Sequence, residues 1–70
     1  MRSWGDLTTK EKEFFDRQLR LRHELSTENR YEIEVLKVNM ICGPLSVAEM
    51  NRFEYLLDLA NKNARQTIAR

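Results

Sequence analysis

Six consecutive residues, Leu45-Ser46-Val47-Ala48-Glu49-Met50, constrain this chain more than any other stretch. Ser46 with Glu49 three positions later is a capping box. The serine oxygen accepts a free backbone N–H of the first helical turn, and the glutamate reaches back to the N–H of the cap. Leu45 before the cap and Met50 after it complete a hydrophobic staple. Just upstream, Gly43-Pro44 stops a helix: glycine tolerates the left-handed backbone that ends many helices, and proline cannot continue one. Residues 42–46 therefore read as a tight corner between two helices.

The length bounds what such helices can do. Seventy residues make one domain, and a core of that size rarely supplies more than ~3–5 kcal/mol. A single cysteine excludes an intrachain disulfide, and one cysteine with one histidine cannot build a four-ligand structural zinc site. A partner subunit or very good helix packing is expected to make up the difference. Charged residues form 33% of the chain, with only two glycines and one proline, which suits helices and argues against a linker. An apolar share of 41% is enough for a folded chain. No apolar run approaches the ~20 residues of a membrane span, and residues 1–7 lack the apolar core of a signal peptide. A cytoplasmic, reducing setting with no membrane contact is the expectation, and a lone Cys42 is compatible with it.

Residues 1–7 read as a lead-in in which Trp4 and Leu7 either fold back onto the helices or fray. Thr8 and Glu11 form a second capping box and open a first helix over about 8–26. Phe14, Leu21 and Leu25 share one face of it, Phe15 and Leu19 an adjacent one, and Arg17, Arg20 and His23 lie opposite. Ser26-Thr27-Glu28-Asn29 favours a kink or short break, since these residues prefer caps to helix interiors. The alternative is one continuous helix over 8–42, about 50 Å long.

Residues 31–42 are ambiguous. Tyr31 to Val35 alternate like a β-branched strand. As a helix over about 28–42, the segment has two apolar rows on nearly opposite sides: Tyr31, Val35, Val38 and Cys42, and Ile33, Leu36 and Met40. The Gly43-Pro44 stop favours the helix; a strand paired with that of a second subunit is the competitor. Residues 46–69 are the clearest helix. Met50, Phe53, Leu57, Ala60, Ala64 and Thr67 follow a heptad-like stripe widened by Leu56 and Ile68, with Ala60 and Ala64 small enough for close helix approach.

Little in the chain suggests chemistry. His23 sits on a charged face and reads as a solvated side chain, and Cys42 reads as a buried structural thiol. Glu28 and Glu32 share a helix face but resemble an ordinary exposed pair. No phosphate loop, Ser/His/Asp set or paired-cysteine motif is present. No catalytic residue, metal site or cofactor is therefore expected.

Arg17 and Arg20 form the best basic cluster, with Lys62, Arg65 and Arg70 following the last acid, Asp58. A net charge of +1 and acids at Glu49, Glu54 and Asp58 on the last helix speak against phosphate binding. Positive charge at the end of that helix also complements its macrodipole.

The expected fold is all-α: a small antiparallel hairpin or three-helix bundle, dimeric. The expected function is a non-enzymatic protein-binding module, an adaptor, chaperone or inhibitor of a larger protein, acting through Tyr55, Leu59, Tyr31, Val35 and Val38. The rivals are a nucleic-acid-associated regulator using Arg17, Arg20, Lys62 and Arg65, and a subunit stable only inside a complex.

Overall fold

The computed structural model describes residues 2–68, with side chains through Gln66. Three helices pack together: α1 (Thr9–Leu21), α2 (Thr27–Cys42) and α3 (Val47–Ile68). All are α-helical, and no strand occurs among the described residues, so residues 31–42 are helix throughout. The Thr67 and Ile68 side chains and Arg70, expected on the stripe and basic tail of α3, lie outside the described residues.

Each helix starts where its cap dictates. The Thr8 hydroxyl accepts from the Glu11 N–H at 3.1 Å while the Thr8 N–H donates to Glu11 Oε1 at 2.8 Å. The Ser46–Glu49 box closes the same way, at 3.2 and 3.0 Å. Ser26 caps α2 by accepting from the Asn29 N–H at 3.3 Å. The first helix is shorter than its expected 8–26. It tightens into a 3-10 turn over Arg22–Glu24, and extended Leu25 then inserts into the core, 4% exposed. The polar run from Ser26 is thus a true break, because the cap competes successfully with helix continuation.

The corner after α2 differs from its expected mechanism. Gly43 is extended, with φ 179° and ψ 178°, not left-handed. Proline is the cause: the ring of Pro44 disfavours helical backbone in the residue before it. The Gly43 N–H still donates to the Asn39 carbonyl at 3.0 Å, completing the last helical turn.

Polar contacts between helices show their relative directions. Lys10 faces Glu54 and Arg17 faces Asp58, so α1 and α3 run together. Glu32 faces Arg52 and Asn39 faces Glu49, so α2 runs against α3. The core lies between all three, centred on Phe14, Ile33, Met40, Phe53, Leu56 and Leu57. Phe14 and Phe53 stack at 4.9 Å between ring centres. Ala60 is fully buried and Ala64 half-buried, as close approach to α3 requires. Leu45 and Met50, the staple pair, both pack on the core edge.

The lead-in folds back. The Arg2 N–H donates to the Ile41 carbonyl at 2.9 Å, and Trp4 meets Phe15 edge-on at 5.4 Å. The Arg2 guanidinium pairs with Glu11, whose side chain is nearly buried. Burial pushes the Glu11 carboxyl up, but its bonds to Arg2 and Thr8 prevail and hold it below the ordinary glutamate value.

Candidate functional site: the outer face of α2

Of its two apolar rows, α2 buries only one. Ile33 and Met40 are fully buried and Leu36 nearly so, all against the core. On the opposite side Tyr31 is 73% exposed, Val35 41% and Val38 52%. Cys42, on the same row, is also exposed. The expectation of a buried thiol is therefore wrong, and the reason is positional: Cys42 belongs to the row that α3 does not cover. Val35 and Val38, with Glu34 and Asn39 beside them, line a shallow apolar depression.

Ion pairs brace both edges of this face. On one edge, Arg52 of α3 grips Glu32 through two guanidinium nitrogens, one of them 2.8 Å from Oε1. The same guanidinium lies 5.1 Å from the centre of the Tyr55 ring. The bond from Arg52 outweighs partial burial and holds the Glu32 carboxyl below its usual range; the Arg52 pKa is raised in turn. On the other edge, Glu34 accepts from Lys37 at 2.8 Å and from Arg22 at 2.7 Å. Lys37 and then Arg22, against a desolvation effect between them in size, hold Glu34 low as well. The apolar row thus stands on a helix whose rotation is fixed from both sides.

The structure places the other expected residues as follows. Tyr55 is 54% exposed on α3, next to Arg52 and so beside the Glu32 edge. Leu59 is half-buried and packs on the core, so Tyr55 is the member of that pair left to solvent. Arg17 pairs with Asp58 at 3.6 Å and Arg20 with Asp16 at 3.4 Å. Lys62 and Arg65 are exposed near the end of α3, well along the chain from those arginines. His23 is exposed, with Glu24 at 3.5 Å.

Two features escaped the reading of the residues. One is Trp4, which stays 53% exposed while its ring packs edge-on against Phe15. Its signal was Ser3-x-x-Asp6, a further cap-like pair in which the Ser3 N–H and hydroxyl both donate to Asp6. The other is Gln18, fully buried with neither amide atom hydrogen-bonded. Its position four after Phe14 and three before Leu21 places it on the buried row.

No described helix is long and apolar enough to cross a membrane. Among the described residues, no group of three or more His, Cys, Asp and Glu side chains is placed to hold a metal ion. The chain matches no family model, no curated protein and no solved structure.

Proposed function

We propose that this protein is a non-enzymatic protein-binding module whose outer α2 face docks an amphipathic helix of a protein partner. It would serve as an adaptor, chaperone or inhibitor of a larger protein. The observation that carries this reading is the row Tyr31, Val35 and Val38 standing exposed while the opposite row of the same helix is buried. Fully burying one such side chain is worth ~1.5–3 kcal/mol, and tyrosine is favoured where binding energy concentrates. The 4-3-4 spacing from Tyr31 to Cys42 is that of a helix–helix seam, which makes a helix the fitting ligand. The nucleic-acid alternative draws less support, because Arg17 and Arg20 each face an acid.

The test is capture of partners from native extract by the tagged full chain, with cross-links mapped by mass spectrometry. Val35→Ser with Val38→Ser should reduce capture at least about tenfold while helix content and melting stay near wild type. Cross-links of the captured protein should fall on α2. Arg17→Gln with Arg20→Gln should leave capture largely intact, since exposed charges add little affinity at ordinary salt. Loss through the arginines and indifference to the valines would overturn the assignment in favour of an electrostatic partner.

A further inference from the structure

We propose that residues 2–7 form a strap that opens and closes over the corner between α2 and α3 independently of the helix bundle, with the Arg2–Glu11 ion pair as its catch. The strap stands apart from the outer face of α2 and from any partner that docks there.

The strap is a unit of its own. Its 3-10 turn, Trp4–Asp6, is closed from within. The Ser3 N–H and hydroxyl donate to Asp6 Oδ2 at 3.1 and 2.9 Å. The Asp6 N–H donates to the Ser3 carbonyl at 3.0 Å and the Leu7 N–H to the Trp4 carbonyl at 3.2 Å. None of these bonds needs a helix. The turn buries none of its own residues, and it packs on no helix as broadly as the helices pack on one another. Internal hydrogen bonds with little buried surface are the makeup of a segment that opens before the core does.

Its fastening is concentrated in Arg2. The Arg2 N–H donates at 2.9 Å to the carbonyl of Ile41, one of those that the end of α2 leaves without an intrahelical partner. The guanidinium pairs through Nη2 with Glu11, the two side chains being 18% and 7% exposed. A charge-assisted bond so enclosed is stronger than a surface pair. Against it stands Nη1 of the same guanidinium, buried with no hydrogen-bond partner among the described residues. That donor regains water when the strap lifts, which favours opening. Trp4 adds its edge contact with Phe15 while half in solvent. Leu7, buried and extended, joins the strap to the Thr8 cap and acts as the hinge. The Thr8–Glu11 capping box lies on the helix side of that hinge, so α1 keeps its start when the strap is open.

The strap forms one wall of a cleft of about 420 Å³. Arg2 and Asp6 line it from the strap, Glu11 from α1, and Pro44, Leu45 and Met50 from the corner and the start of α3. Lifting the strap removes Arg2 and Asp6. Leu45 and Met50 then stand open beside a Glu11 carboxylate that has lost its counter-ion. The open state thus presents an apolar surface with one acid, which the closed state withholds.

Trp4 is the chain's sole tryptophan, so its fluorescence reports the strap alone. On heating the wild-type chain, Trp4 emission should shift to the red and become more open to acrylamide quenching before far-UV ellipticity falls. Probes that do not coincide mark a separate transition. Arg2→Ala and Glu11→Gln should each increase the open fraction relative to the closed by about tenfold or more, with room-temperature ellipticity at the wild-type value. Glutamine at position 11 keeps the capping box, and Arg2→Ala leaves the cap untouched. The double variant should open no further than Arg2→Ala alone, because the pair acts as one. In both single variants the Leu45 and Met50 methyl signals should shift while that of Ile33 stays in place.

Coincident Trp4 and helix transitions in the wild-type chain would overturn the independent strap. Trp4 emission and quenching indifferent to both substitutions would overturn the ion pair as its catch. Leu45 and Met50 signals that stay in place while Trp4 opens would overturn the covering of the corner.

Discussion

The two faces of α2 are both apolar and have opposite fates. Ile33, Leu36 and Met40 are buried among the stacked phenylalanines and the leucines of α3, while Tyr31, Val35 and Val38 stand in solvent. Hydrophobicity therefore does not decide which row folds inward. The α3 stripe does, because it offers one continuous apolar surface and can cover only one side of its neighbour. Ion pairs at Glu32 and Glu34 then set the rotation of α2 so that the second row points out. A small core that leaves a second row of this kind unburied gives up stability it could have used. That is the physical argument for reading the outer row as a contact surface rather than as part of the fold.

The comparison can be broken by substitution. Met40→Ala, on the buried row, should cost ~2–5 kcal/mol. Set against a core worth ~3–5 kcal/mol, that should leave much of the protein unfolded at room temperature by circular dichroism. Val35→Ala, one helix face away, should stay within ~0.5 kcal/mol of wild type. Similar losses from both would mean that the two rows are not distinct.

A second change sharpens what the buried side tolerates. Gln18 is enclosed with its amide unpaired, and an unsatisfied buried polar group costs ~1–3 kcal/mol. Gln18→Met, apolar and of similar length, should raise the melting temperature by several degrees. A lowered one would mean that the amide is satisfied in solution.

Acid tests the braces. The Glu11, Glu32 and Glu34 carboxyls are held below their ordinary value in the folded chain. Their contribution is complete above the unfolded glutamate pKa of about 4.3 and is lost as pH falls through the lower folded values. Melting temperature should therefore drop between about pH 4.5 and 3, and less steeply in Arg52→Gln, where the Glu32 brace is already gone. A flat acid profile would mean that the ion pairs do not set the rotation of α2.

The smallest effect belongs to the corner. Gly43 is extended, with open space where a Cβ would stand. Gly43→Ala should be neutral or stabilise by ~0.4–1 kcal/mol through the unfolded state, measured by urea unfolding. A clear loss would restore a left-handed role for this glycine.

Much of this architecture was legible in local residues, because caps act over three or four positions. Thr8 with Glu11, Ser46 with Glu49 and the run at Ser26 place all three helix starts to within a residue or so. The α3 stripe was legible for the same reason: its period is a property of one helix. Which α2 row would be buried was not, since that depends on where α3 lies. Cys42 was misread through this same gap. Leu59 and Tyr55 sit four apart on one helix, yet only Leu59 reaches the core, a difference set by the position of neighbouring elements. Gln18 shows the converse: its spacing after Phe14 puts it on the buried row, but its polarity kept it out of the expected core.

The most direct test of the outer face is methyl NMR of the full chain, with the valine and isoleucine methyls assigned, at rising protein concentration and with the captured partner added. The Val35 and Val38 methyls should shift or broaden, while the Ile33 methyl, fully buried on the opposite row, should stay unchanged. Val35 and Val38 signals that remain constant under both conditions would contradict the claim that this face is a docking surface.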